Sequence, residues 1–205
     1  MTRTLEPRDL PLWRDARAFL DVRSNDVHTL ISYGLARALC AEHPEADTAV
    51  VLPAILLHDV GWKSIDPAKL AEAVGPNATQ PELVRVHEVE GVRIAGDILA
   101  RRRPDGVDAA QVLAIIDTHD TVKTALSLND AMVKDADKCW RFTPHGVATI
   151  GGWFGEDRAQ TLDMLEDFVM PSMLTDAGRA MARAFLASAR AELEAGEYLG
   201  GQADG

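Results

Sequence analysis

Proline and glycine break this sequence at short intervals, and the stretches between breakers carry apolar residues at helical spacing. Breakers fall at Pro44, Gly75-Pro76, Pro81, Pro104 with Gly106, Pro144, Gly151-Gly152, Pro171 and Gly196. Strand-like alternation is nearly absent between them, so the pattern predicts an all-α chain. Composition points the same way: Ala and Leu are abundant and aromatics are only 5%, a balance that favours helix over sheet. A length of 205 residues with 47% hydrophobic content fits one domain, residues 1–205, with a sizeable core. No internal repeat and no low-complexity linker divides it.

The periodicity predicts a short helix over 8–20 and a second over about 26–41, with Asn25 or Asp26 as its cap. Ile31, Leu35 and Leu39 share one face of that helix with His28. A third runs from Asp47 to His58, kinked at Pro53. A loop over 59–66 and a short helix near 67–74 follow. A fourth long helix starts at Pro81, which suits a first helical position, and reaches about Arg102. Its inner face is Leu83, Val84, His87, Gly91, Ile94, Ala95 and Ile98. Helices over about 108–119 and 127–140 come next, the latter carrying Asp137. Two amphipathic helices, about 156–169 and 176–195, close the chain, the last capped by Thr175 and ended by Gly196. They hold no ligand set and read as packing helices or as the face of a homodimer. Loops over 60–80, 103–107 and 142–155 are where specificity is expected, and His43 and His145, beside Pro44 and Pro144, read as loop residues.

The dipeptide His58-Asp59 stands at the end of an apolar run. Adjacent side chains on a regular helix diverge by about 100°, so both cannot face one core. At a helix end, which Gly61 permits, they turn toward one point. An imidazole and a carboxylate aimed at one point suit a metal ion. The chain offers further donors in order: His28, His58, Asp59, His87, His119, Asp137. Their intervals of 30, 28, 32 and 18 residues (28 to 58, 59 to 87, 87 to 119, 119 to 137) are each about one helical hairpin. Successive antiparallel helices bring such side chains to one level of a bundle. Separate buried imidazoles would each need a hydrogen-bond partner; one shared cation satisfies them together.

A formal net charge of -11 repels phosphate backbones, so no nucleic-acid partner is expected. A small phosphorylated molecule can still enter a locally positive, metal-loaded cleft. Cys40 and Cys139 form no spacing pattern and fit reduced thiols in a cytoplasmic protein. The first ten residues lack an apolar signal core, and the longest apolar run, 49–57, contains Pro53 and is too short to span a bilayer, so no membrane association is expected.

In their order these residues resemble the HD-domain superfamily of metal-dependent phosphohydrolases. The superfamily's core motif is a histidine, a His-Asp pair and a late aspartate, matched by His28, His58-Asp59 and Asp137. Leu56-Leu57-His58-Asp59-Val60-Gly61 is similar to the paired motif, His87-Glu88-Val89-Glu90-Gly91 to its His-x-x-x-Gly helix, and Asp135-Ala136-Asp137-Lys138 to its late aspartate motif. The resemblance spans about 26–141 and leaves the C-terminal third uncovered.

The resemblance implies an HD-domain-like helical bundle with one or two divalent ions in its core, the identity open among Mn, Fe, Mg, Co, Ni and Zn. His28, His58, Asp59 and Asp137 would hold the first ion; Asp59 would bridge to a second held by His87 and His119. The implied activity is hydrolysis of a small phosphoester, a nucleotide among the candidates, by a metal-activated water, with Asp59 as a catalytic group. Asp120, next to His119, is a further catalytic candidate that would orient a ligand or water, or else merely cap a helix. Lys63, Lys138 and Arg141 are candidate substrate-binding cations, the last two beside Asp137. Members with a catalytic lysine usually carry it one position before Lys63, where this chain has Trp62. Trp62 and Trp140 would wall the pocket or serve as core. The same six ligands are also similar to the mixed-valent di-iron oxygenases of the superfamily, such as myo-inositol oxygenase and its phosphonate-cleaving relatives. A third reading is a degenerate member acting as a catalytically inactive binding module.

Overall fold

A computed structural model describes residues 4–73 and 78–200. It is an all-α bundle, with no strand among the described residues. The helices are α1 (Leu10–Ala16), α2 (Asn25–Glu42), α3 (Thr48–Leu57), α4 (Leu70–Ala73), α5 (Glu82–Arg102), α6 (Ala109–Ile116), α7 (Leu128–Trp140), α8 (Pro144–Phe154), α9 (Arg158–Met164) and α10 (Asp176–Gly200).

Local chemistry explains most of the helix starts. Asp47 accepts from Ala49 N at the head of α3, Asp108 from Gln111 N at α6, and Ser127 from Asp130 N at α7. Thr143 caps α8, with Pro144 in the first turn, and Asp157 with Gln160 forms a capping box on α9. Thr175 Oγ1 accepts from Gly178 N at 2.9 Å, the cap expected for α10. Neither Asn25 nor Asp26 caps α2: that place falls to Ser24, in the left-handed region at φ 59° and without a side-chain cap bond.

Three further expectations need correction. The stretch 142–155 is not a loop: Thr143 and Pro144 start a helix that runs through Gly151-Gly152 to Phe154 and places His145 in its first turn. Gly151 fits there because a Cβ would lie 2.9 Å from Thr161 Oγ1 and 3.0 Å from Glu156 O. Gly196 does not end the last helix, which continues to Gly200. The loop predicted over 59–66 contains a 3-10 segment, Val60–Ser64. Part of the short helix expected near 67–74 lies outside the described residues; within them a 3-10 turn, Pro67–Lys69, leads into α4.

α2 packs along α7 and α3, α3 also against α6 and α7, and α5 against α6 and the 3-10 segment. The main core runs through α1, α2, α3, α5, α6 and α7, with Leu52, Ile55, Leu56, Leu57, Ile98 and Ile116 among its fully buried side chains. α3 is apolar around its whole circumference, as a helix central to a bundle must be. A second core joins the end of α7 to α8, α9 and α10 through Cys139, Phe142, Val147, Leu162, Leu165 and Leu186. α9 continues into a π-helical turn, Leu165–Val169, a form found mostly as single turns and often at functional sites. The C-terminal elements thereby stand over one mouth of the bundle formed by α2, α3, α5, α6 and α7.

Candidate metal centre

Five distinct pieces of the bundle deliver the six donors, His58 and Asp59 coming from one helix end. His28 lies in the first turn of α2. His58 is the residue after α3, still helical at φ -57° and ψ -37°, whereas Asp59 has left the helix at φ -100° and ψ 5°. That break lets the pair converge. The 3-10 segment after it presses on α5 through Gly61, where a Cβ would overlap the carbonyl oxygen of His87 and lie 2.5 Å from Gly91 N. Only glycine permits this approach, and the approach brings His87 to Asp59. His119 follows α6, and Asp137 lies within α7.

The donors form two clusters that share Asp59. In the first, His28 Nε2 and His58 Nε2 are 3.0 Å apart. His28 Nε2 lies 3.3 Å from Asp59 Oδ2 and 3.3 Å from Asp137 Oδ1. In the second, His87 Nε2 and His119 Nε2 are 3.2 Å apart, and Asp59 Oδ1 lies 3.6 Å and 3.7 Å from them. Asp120 Oδ2 stands 3.8 Å from His87 Nε2 and 3.7 Å from His119 Nε2. Nitrogen and oxygen donors sharing an ion at about 2.1 Å lie roughly 3 to 3.5 Å apart; the contacts within the first cluster and between His87 and His119 fall in that range, and those of Asp59 and Asp120 to the second pair are a few tenths of an ångström longer.

The ring tautomers supply a stricter test of fit. The Nδ1 atoms of His58, His87 and His119 face the carbonyl oxygens of Ile55, Val84 and Ile116 at 2.8, 2.7 and 2.8 Å. A carbonyl only accepts, so each Nδ1 carries hydrogen and each neutral ring turns a lone pair inward at Nε2. For His87 and His119 this sets two lone pairs against each other at 3.2 Å. A cation or a proton must lie between them, and the residues fit a divalent metal.

Protons hold the arrangement together without metal. Burial penalises imidazolium at His119, but the charges of Asp120 and Asp59 overcome it and push the ring up to about 10. His58 is raised for the same reason, against burial, by Asp59 and Asp137. Burial also opposes ionisation of Asp59, yet the charge on His58 and the nearby rings of His119, His87 and His28 hold it well below the usual carboxylate range. At Asp137, burial is outweighed by Arg141 and by the rings of His28 and His58, and the carboxylate stays well below that range too.

The centre floors a cavity of about 460 Å³ walled by Trp62, Trp140 and Arg141 on the bundle side and by α8, α9 and the π-helical turn opposite. Arg141 Nη2 reaches Asp137 Oδ2 at 3.0 Å. The two lysines offered as substrate-binding cations are placed elsewhere. Lys63 Nζ pairs with Asp21 Oδ1 at 2.6 Å, and Lys138 Nζ donates to Ser172 O at 2.6 Å; neither lines the cavity. Lys138 is adjacent to Asp137 on one helix and so points about 100° away from it.

Two residues that the sequence did not single out are prominent. Glu88 is fully buried and accepts from the N–H groups of Asp120 and Thr121, from Thr121 Oγ1 and from Arg85. It anchors the turn that carries His119 and Asp120. Its neighbour His87 was the only clue. Arg23 lines the cavity with its guanidinium carbon 4.9 Å from the ring centroid of Trp62 and 4.3 Å from that of Trp153. No short-range sequence pattern announces it.

Fold and centre together define a helical bundle whose histidines and aspartates converge from separate helices onto one shared carboxylate, an arrangement that could hold metal ions. A family model for the HD domain matches residues 25–141. The chain belongs to that family, one of metal-dependent phosphohydrolases in general, whose domains bind divalent metals. No curated protein and no solved structure matches the chain significantly. No helix among the described residues is long and apolar enough to cross a membrane.

Proposed function

We propose that this protein hydrolyses a small phosphoester, a nucleotide among the candidates, using divalent ions held by His28, His58, Asp59, His87, His119 and Asp137. The observation that carries the reading is the single carboxylate of Asp59 set between two histidine pairs at the floor of a cavity. Divalent ions in such a centre bring the pKa of water toward neutrality and offset charge on phosphoryl oxygens. Arg141, held against Asp137, adds a fixed positive charge for the phosphoryl group. Asp120, which lines the cavity 3.7 Å from His119 Nε2, would accept a proton from an attacking water. Trp62 and Trp140 keep solvent off the donors. The metal-loaded protein should release phosphate from one or more members of a phosphoester panel, and His58→Ala or Asp59→Ala should abolish release. Turnover surviving either change with metal content intact overturns the assignment.

One observation favours a second reading. The lysine of the hydrolase pattern is replaced by Trp62, whose indole N–H donates to Asp59, while Lys63 turns away to Asp21. A complete histidine-aspartate set without that lysine also suits oxidative cleavage of a polyol or a phosphonate at a di-iron centre. Iron content and oxygen uptake in protein produced with iron separate the two: two irons with substrate-dependent oxygen consumption support the oxygenase, and phosphate release without oxygen the hydrolase.

A further inference from the structure

Two hydrogen-bond donors beside the centre lack partners. Arg23 Nη1 and Asn25 Nδ2 are buried, and neither has a hydrogen-bond partner among the described residues. Both residues line the cavity that the metal donors floor. Such donors are costly to bury unless something satisfies them. The backbone here is also unusual: Arg23 and Ser24 are successive non-glycine residues at φ 53° and 59°. Conformations of that kind cost free energy and cluster at ligand clamps and active sites. The result is a guanidinium against two indole rings, 4.9 Å from the centroid of Trp62 and 4.3 Å from that of Trp153. Contacts to ring faces leave a guanidinium's N–H edge free, and Nη1 here stays available for a ligand.

The charges nearby select the ligand. Arg23 shares the cavity with Lys123, with Arg141, which pairs with Asp137, and with Asp59 and Asp120. Metal ions bound by the three aspartates would leave the cavity's cations, Arg23 foremost, in need of an anion. Farther from the metal donors the wall changes character. Ile150, Trp153, Phe154, Leu165, Phe168 and Val169 present an apolar, partly aromatic surface, with Phe168 72% exposed. Exposed aromatic rings beside a deep cavity are a surface for stacking.

We propose that Arg23 and Asn25 grip the anionic head of the substrate, and that the substrate's body is an aromatic ring seated against Trp153, Phe154 and Phe168. The substrate class is therefore an aryl or nucleobase-bearing organic phosphate rather than the phosphate of a sugar or polyol. This deepens the proposed function and rests on the cavity being its substrate site.

The test uses the full chain loaded with manganese and two non-hydrolysable probes, phenylphosphonate and methylphosphonate, titrated by calorimetry. Phenylphosphonate should bind at least about tenfold more tightly. Arg23→Gln and Asn25→Asp should each weaken phenylphosphonate by about tenfold or more with manganese content unchanged, and Arg23→Lys should recover only part of the loss, because an ammonium lacks the planar N–H fork of a guanidinium. Phe168→Ala, at a highly exposed position, should erase most of the preference for the phenyl probe. Equal affinity for the two probes overturns the aromatic body. Unchanged binding in Arg23→Gln overturns the grip; should that variant lose manganese, unchanged binding in Asn25→Asp overturns it instead. Phosphate release from phenyl phosphate is measured in parallel. Arg23-dependent binding without release sinks the hydrolase reading and leaves the grip standing; release with Arg23-independent binding does the reverse.

Discussion

Trp62 lies flat on His87, with ring centroids 4.0 Å apart and planes 12° from parallel. The same indole donates its N–H to Asp59 Oδ1 at 3.1 Å. One side chain therefore orients both the shared carboxylate and a ring of the second cluster. Outer partners of this kind typically change metal affinity by about 10- to 100-fold. Trp62→Phe keeps a ring over His87 and removes the N–H. It should weaken metal binding at the His87–His119 cluster by about tenfold and leave the His28–His58 cluster nearly unchanged, read by competition with a chromophoric chelator. Equal affinity at both clusters in variant and wild type would make the bond incidental.

Metal counts should follow the geometry of sharing. Asp59 presents Oδ2 to His28 and Oδ1 to His87 and His119. His87→Ala should therefore reduce the bound metal from two ions to one, and Asp59→Ala should strip most of both. Elemental analysis of protein purified without chelator gives the count directly. Two ions retained in Asp59→Ala would mean that the clusters do not depend on a common ligand.

How much of this was legible depended on whether a signal was local. The helix periodicity, the caps at Asp47 and Thr175, and the order of histidines and aspartates are properties of short segments, and they place α2, α3, α5 and α7 with little error. The break at Asp59 was legible because Gly61 stands two residues later. Arg23 was not, since its role comes from Trp62 and Trp153, separated by ninety-one positions and joined only by folding. α8 was missed because Gly151-Gly152 and Pro144 read as breakers, whereas Pro144 sits in a first turn, where it is tolerated, and Gly151 gives room to Thr161 and Glu156. Lys63 and Lys138 were chosen for adjacency to motif residues, and adjacency on a helix or turn directs a side chain elsewhere.

Glu88 gives a stability prediction. Its carboxylate accepts from two backbone N–H groups, a hydroxyl and Arg85. Ionisation is opposed by burial and restored by those bonds, so its pKa lies below the ordinary value. Glu88→Ala strands the donors of Asp120 and Thr121 and should cost about 3 kcal/mol. Glu88→Gln keeps acceptor capacity and should cost less. Denaturant unfolding measures both, and because the turn carries His119, the alanine variant should also bind its second ion more weakly. A Glu88→Ala protein as stable as wild type would show that the turn holds without this carboxylate.

The pH dependence of stability should differ between the chelated and the metal-loaded protein. In the chelated protein His119 is pushed up to about 10, above the roughly 6.5 of an unfolded chain. Its contribution is then fully present below about 6.5 and is lost as pH rises toward 10, at up to about 1.4 kcal/mol per pH unit for one proton. Asp59 and Asp137 are depressed, so theirs is present above roughly 3.9 and is lost as pH falls below it. The chelated protein should therefore be most stable between about pH 4 and 6.5 and melt progressively earlier on the alkaline side. Metal takes the place of the proton on His119, so loading should release protons into a weakly buffered solution, and the gap in Tm between loaded and chelated protein should widen from pH 6.5 upward. Thermal melts at fixed ionic strength, with and without chelator, test this. A chelated Tm that stays level from pH 6.5 to 10 would mean that His119 is not protonated in the folded chain, and that the opposed lone pairs of His87 and His119 are relieved in some other way.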